Sequence, residues 1–188
     1  MINNSKSYTK VAIILHWLVA LGLILNIALA LSTDYVGDEN IRFVINNHKS
    51  IGITLLGFAL MRILWRVTHQ PPAYPYQQPK LERFAAHGTH LLLYALMLMI
   101  PLSGWMHDSA WKLASEIKMY WFGFFEWPRI TVIMELEPVL KEQLHSILGG
   151  IHTWLSYALY LLVSVHVVAA IMHHYSKTNR VRGRGILP

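Results

Sequence analysis

Eleven histidines and no cysteine bound the chemistry open to this chain. Without thiolates there is no disulfide framework, no cysteine-held zinc or iron–sulfur cluster, and no haem attached through a Cys-x-x-Cys-His motif. Imidazole is left as the obvious soft ligand. His16, His48, His87, His90, His152 and His166 fall within or at the edges of long apolar stretches, where an ionisable side chain is costly and by default functional. His152 and His166 are 14 residues apart. On one helix that leaves them about 40° apart around the axis and about 21 Å apart along it. His48 falls level with His152, and His16 about level with His166, so each depth receives a pair. Two neutral imidazoles on facing helices are what a six-coordinate, noncovalent b-type haem requires, and the pattern predicts two stacked haems. A lone membrane histidine needs no more than a hydrogen bond across helices; the pairing at two depths is what argues for ligation.

Two further residues fit this scheme. Gly52 follows His48 by one turn on the same face, where a missing side chain lets a porphyrin approach, although ordinary small-residue helix packing explains it equally well. Arg62 shares the face of His48 at the deeper level, placed either to pair with haem propionates or to snorkel to the headgroups.

The elements that must position these residues are written in the composition. Of 188 residues, 54% are apolar and only 14% charged, which disfavours a soluble domain. Length allows a single domain, 1–188. Crossing a bilayer core of about 30 Å takes roughly 20 apolar residues in a helix, and four stretches qualify: 11–32, 48–67, 87–106 and 147–175. The expected fold is an all-α, four-transmembrane-helix bundle with a long outer loop at 107–146. No cleavage site follows the first stretch, so it does not read as a signal peptide.

Ten of the sixteen basic residues, with Glu82 the one acid among them, lie at the N-terminus (Lys6, Lys10), around the second connection (Arg62, Arg66, Lys80, Arg83) and in the tail (Lys177, Arg180, Arg182, Arg184). By the positive-inside rule both termini of this multi-pass membrane protein face the cytoplasm. The dispersed basic residues give no footing for nucleic acid. The second connection, with Pro71, Pro72, Pro75 and Pro79, reads as a tight extended strap. In the long outer connection Trp105, Trp111, Trp121 and Trp127 suggest parts lying at the interface.

These residues together resemble the prokaryotic cytochrome b-561 family, small four-helix dihaem membrane proteins that include superoxide:ubiquinone oxidoreductases. The resemblance runs nearly end to end, and it implies a bacterial inner membrane. It rests on His16-Trp17 in the first helix, His48-Lys49-Ser50-Ile51-Gly52 at the start of the second and Ala86-His87-x-x-His90 at the start of the third. The fourth contributes His152, His166 and the His173-His174-Tyr175 end. It implies that His16 and His166 hold the inner haem and His48 and His152 the outer one, in agreement with the depths. By position alone, His87 and His90 compete with His16 for the inner role. Otherwise His87 and His90 belong near the inner haem or a quinone pocket, and His173, seven residues after His166, could pass a proton to quinone or be a bare helix-end histidine. His145 reads as solvent-exposed or as lining the approach to the outer haem. His69 and His107 read as loop or interface residues.

Two axial histidines leave no open iron site, so outer-sphere electron transfer is the natural chemistry. The leading expectation is superoxide oxidation at the outer haem and ubiquinone reduction in the membrane, with Lys49 beside His48 as the residue that draws in the anion. The outer loop departs from that expectation: Asp108, Glu116, Glu126, Glu135, Glu137 and Glu142 make it acidic on balance, which opposes superoxide and favours a periplasmic redox protein. Lys49 and Arg42 would then be a local positive patch. Alternatives are a quinol-oxidising cytochrome b that exchanges electrons with such a partner, a membrane anchor subunit with or without haem, and a proton-relay transporter, which the missing inverted repeat disfavours. Oligomeric state is not encoded in these patterns.

Overall fold

A computed structural model of the chain describes residues 8–69 and 80–175, with backbone alone for 173–175. Lys6, the proline strap and the basic tail lie outside the described residues. Four long helices, α1 (Lys10–Ser32), α2 (Asp38–Thr68), α3 (Lys80–Ser109) and α5 (Pro138–Tyr175), account for most of the chain, and all four are long and apolar enough to cross a membrane. Between α3 and α5 lie a two-residue-per-strand hairpin, β1 (Tyr120–Trp121) and β2 (Phe125–Glu126), and one short turn of helix, α4 (Thr131–Met134). α1 packs along α2, α2 along α3, and α3 along α5.

The helix ends are set by local chemistry. The Thr9 hydroxyl accepts from the Ala12 amide at 3.3 Å and caps α1. It also accepts from Trp65 Nε1 at 2.9 Å, tying the start of α1 to the end of α2. Asp38 and Glu39 occupy the first turn of α2, where carboxylates suit the helix dipole. Pro138 opens α5, and the Glu137 carboxylate accepts from the Val139 and Leu140 amides at 3.1 and 3.2 Å, a proline at the first position behind an acidic cap.

Three helices extend beyond the apolar stretches: α2 begins ten residues before His48, α3 at Lys80 and α5 at Pro138. Hydropathy marks where a helix leaves the hydrocarbon, whereas the helix continues until its hydrogen bonds are capped. The 38 residues of α5 span about 57 Å, far more than the bilayer core. His48 therefore sits in the third turn of α2 and does not open it.

The connection between α3 and α5 is a folded cap, and the end of the bundle that carries it is called here the cap end. The most completely buried side chains gather there. Ser50, Asp108, Ser109, Ala110, Ala114 and Met119 are each at most 5% exposed. The lipid-facing flanks of the helices, by contrast, are open and apolar. Ser109 Oγ accepts from the Ile130 amide at 3.0 Å, and Trp105 Nε1 donates to the Pro128 carbonyl at 2.9 Å. The hairpin turns through Phe122 and Gly123, both at positive φ (47° and 78°), as its tight turn requires. Its edge is satisfied by one side chain of α2. Ser50 Oγ accepts from the Phe122 amide at 3.0 Å, and its single proton is shared between the Asn46 carbonyl at 2.9 Å and the Tyr120 carbonyl at 3.3 Å. Trp121 Nε1 reaches Thr54 Oγ1 at 3.0 Å, and Phe124, 80% exposed, forms the tip. At the hairpin base Lys118 pairs with Glu126 at 2.6 Å, and that carboxylate holds the ammonium above the usual lysine range.

Ser50→Ala should release the hairpin without unfolding the helices. Two backbone groups lose a partner at about 1–3 kcal/mol each if they stay buried. Hydrogen exchange at the Phe122 amide should rise by about tenfold or more; unchanged protection there would show that the hairpin is held by its aromatics alone.

Candidate functional site

The histidines are brought together as two pairs at two depths. At the cap end the rings of His48 and His152 have centroids 6.2 Å apart at 84°. At the other end those of His16 and His166 are 6.5 Å apart at 67°. A first-row metal bonds an imidazole nitrogen at about 2.0–2.1 Å, and the ring centre lies roughly 1.1 Å behind that nitrogen. Two imidazoles on opposite sides of one iron therefore have centroids roughly 6.2–6.4 Å apart. Edge-to-face aromatic pairs fall in the same range, so the distances gain their weight from what holds the rings.

His48 Nδ1 donates to the Asn26 carbonyl at 3.2 Å. His152 Nδ1 donates to the Ile100 carbonyl at 3.0 Å and has Ser103 Oγ at 3.2 Å. With the proton held on Nδ1, each ring keeps its Nε2 lone pair for a metal, the outer-shell arrangement that orients ligating histidines. His16 Nδ1 is buried with no hydrogen-bond partner among the described residues, an orphan that a ligand would satisfy. Neither α1 nor α2 packs closely along α5, so each pair reaches across a gap between helices. A flat macrocycle suits that gap. On these counts the residues present fit a bis-histidine haem at each depth.

The sequence reading missed several residues that shape these pairs. Asn26 lies beside the cap-end pair, with its Oδ1 buried and unpartnered; a lone amide within the first apolar run was the available signal. Gly104 is needed by His152, because a Cβ there would lie 3.0 Å from the ring's Cε1 and 3.2 Å from Nδ1. Gly52 is different. A Cβ there would meet only Asn26 Nδ2, at an ordinary 3.7 Å, so helix packing does not demand glycine and the face is left open.

At the far end a third imidazole joins the pair: His90 lies 5.6 Å from His166. His87 does not join it, and its Nδ1 donates to the Arg83 carbonyl of its own helix at 2.7 Å. Arg62 is within electrostatic reach of His16, His90 and His166, and its guanidinium lies over the Tyr94 ring at 5.6 Å. His173 belongs to the last turn of α5, and its side chain lies outside the described residues.

Three expectations about the cap end change. His107 is no loop residue: it lies within α3, stacked on His145 at 4.0 Å, and His145 is half-buried and donates to the His107 carbonyl at 3.0 Å. Gly149 leaves room for that stack, since a Cβ would lie 3.0 Å from His107 Nε2. Asp108 is not part of an acidic surface. It is buried between Lys49 Nζ at 2.5 Å and Arg129 Nε at 2.8 Å. Lys49 is therefore already paired, and together with Arg42 it flanks the Trp111 ring at 5.9 and 5.8 Å. His69, as expected, closes α2, stacked on Trp65 at 3.8 Å.

The fold is a membrane-spanning helical bundle with paired imidazoles between its helices. Comparison with known families narrows this. The family model for prokaryotic cytochrome b561 matches residues 7–183, and the chain belongs to that family, whose members bind haem b and transfer electrons in bacterial membranes. Among its relatives, cytochrome b561 homolog 2 of Escherichia coli K12 is 28% identical over 92% of this chain and 87% of its own. A protein named "Probable superoxide oxidase CybB" from Yersinia pestis is 25% identical over 90% of each. Cytochrome b561 homolog 1 of Escherichia coli K12 is 25% identical over 89% of this chain and 90% of its own.

Proposed function

We propose that this chain is a two-haem wire that oxidises superoxide at its cap end and reduces ubiquinone near the other. The observation that carries the reading is the pair of imidazoles at each depth, His48 with His152 and His16 with His166. His152 and His166 stand 14 residues apart on α5, about 21 Å, which divides the low-dielectric core into short steps. Haem held by His48 with His152 and by His16 with His166 would supply a one-electron carrier, and the chemistry it would bring there is outer-sphere electron transfer. The protein's part is to orient and insulate. Asn26 and Ile100 fix the cap-end tautomers, and Arg62 holds propionates at the far end. His90 stands where it can hold a proton for quinone, with His87 near it on the same helix. The cap end faces the periplasm and both termini the cytoplasm, as the distribution of Lys and Arg dictates.

In this reading Lys49 draws the anion to the cap end, and one electron passes from superoxide, released as dioxygen, toward the quinone. The relative from Yersinia pestis is named a probable superoxide oxidase. Purified protein given superoxide and ubiquinone as sole substrates should turn over, and Lys49→Glu should slow the superoxide step. An unchanged rate in that variant would remove Lys49 from the mechanism. The pairing of Lys49 with Asp108 supports a second reading, in which a periplasmic redox protein docks on the cap and exchanges electrons with quinol. Haems that are indifferent to superoxide yet reduced by quinol would select it.

A further inference from the structure

We propose that Asp108 sets how much positive charge the cap end presents to the centre at His48 and His152, and thereby both its potential and its reactivity toward an anionic donor. This rests on the reading of those histidines as haem ligands. The Asp108 side chain is 4% exposed and both its oxygens are engaged, Oδ1 by Lys49 and Oδ2 by Arg129. Arg129 cannot turn away, because its Nη1 also donates to the carbonyls of Ala114 and Ile117, each at 2.6 Å. The three side chains come from α2, α3 and the cap and carry one net positive charge. Lys49 directly follows His48 and acts on it electrostatically. His107, which directly precedes Asp108, interacts with His152. Charges fixed this close to a site of low dielectric act far more strongly than charges in water.

The consequence is a governed entrance. Lys49 remains a quarter exposed, so an anion can approach it, but one unit of its field is cancelled by the carboxylate behind it. Arg42, which also lies over the Trp111 ring at 5.8 Å, belongs to none of the ion pairs among the described residues. Asp108→Asn preserves shape, and its amide oxygen still accepts from one of the two cations, but its Nδ2 can only donate, so the other cation loses its acceptor and two uncompensated charges face the centre. Positive charge favours the reduced form, so the potential must rise. Capture of superoxide must quicken as the anion loses an electron, leaves as dioxygen and delivers that electron to the ferric centre. Removing Lys49 does the reverse.

The test is an anaerobic spectroelectrochemical titration of the haem-loaded protein, in which the cap-end component is the one missing from His48→Ala. Stopped-flow reduction by potassium superoxide at low and high salt accompanies it. Asp108→Asn should shift the cap-end potential upward and raise the rate about threefold to tenfold at low salt, with the gain shrinking as salt screens it. Lys49→Met should shift the potential downward and slow the reaction. Opposite signs are the mark of charge, because a loosened cap would move both variants the same way. Shifts of equal sign, or none, overturn the inference. Should Asp108→Asn fail to assemble, Lys49→Met against Lys49→Arg decides it: a downward shift with methionine and none with arginine is required. If the unmodified protein binds no haem at the cap end, the reading beneath falls and the inference with it. Two haems with unmoved potentials would sink the inference alone.

Discussion

His152→Ala should purify with one haem b in place of two, measured as pyridine haemochrome per chain. The ring it deletes is fixed from several sides, by the Ile100 carbonyl, by Ser103 and by the backbone at Gly104, whereas His107, the imidazole near it, is stacked on His145 at 4.0 Å. His48→Ala should lose the same haem. Gly104→Val should do nearly as much without touching a ligand, because its first added carbon already crowds His152 to 3.0 Å and valine adds two methyl groups. His16→Ala and His166→Ala should lose the other haem, and full content in either would overturn that pair. His90→Ala is the sharper comparison. It should retain both haems, and loss of one would show that the 5.6 Å pair of His90 and His166 is the ligating one.

The second large effect is expected at Arg129. Arg129→Leu leaves Asp108 with a single partner and strips the Ala114 and Ile117 carbonyls of theirs, all in the most buried part of the chain. Breaking a buried ion network from one side costs about 3–5 kcal/mol. A lower unfolding midpoint in detergent and new protease cleavage within 110–137 should follow, whereas wild-type resistance would mean that the cap is held by its apolar contacts. Lys118→Gln serves as the contrast. That lysine pairs with Glu126 at the surface, with side chains 59% and 49% exposed, and such pairs contribute little, so its loss should leave the midpoint where it was.

Much of the bundle was legible because lipid simplifies the code. A helix that crosses hydrocarbon must be apolar along its length and must satisfy its own backbone, so four uncharged stretches announce four helices. Polar residues inside such stretches stand out, which is how spacing put His48 level with His152 and set His16, in competition with His87 and His90, level with His166. The spans read too short because charge interrupts hydropathy without interrupting a helix: α2 keeps its hydrogen bonds through Asp38 to Lys49 before the apolar part begins. The cap was not legible. Its hairpin is two residues per strand, its contacts join α2 to residues some 70 positions away, and no periodicity encodes pairings of that kind. For the same reason Asp108 read as one more surface acid, since only packing brings Lys49 and Arg129 onto its two oxygens.

The sequence by itself determined that this is a four-helix membrane protein with imidazole pairs at two depths, because hydrophobic length and helical spacing are local properties. Tertiary structure alone decided which nitrogen of His48 and of His152 is free, which glycine makes room for which histidine, and how much of the charge on Lys49 is cancelled. Those depend on carbonyls, close approaches and counter-charges contributed by distant segments, which meet only when the helices and the cap have packed.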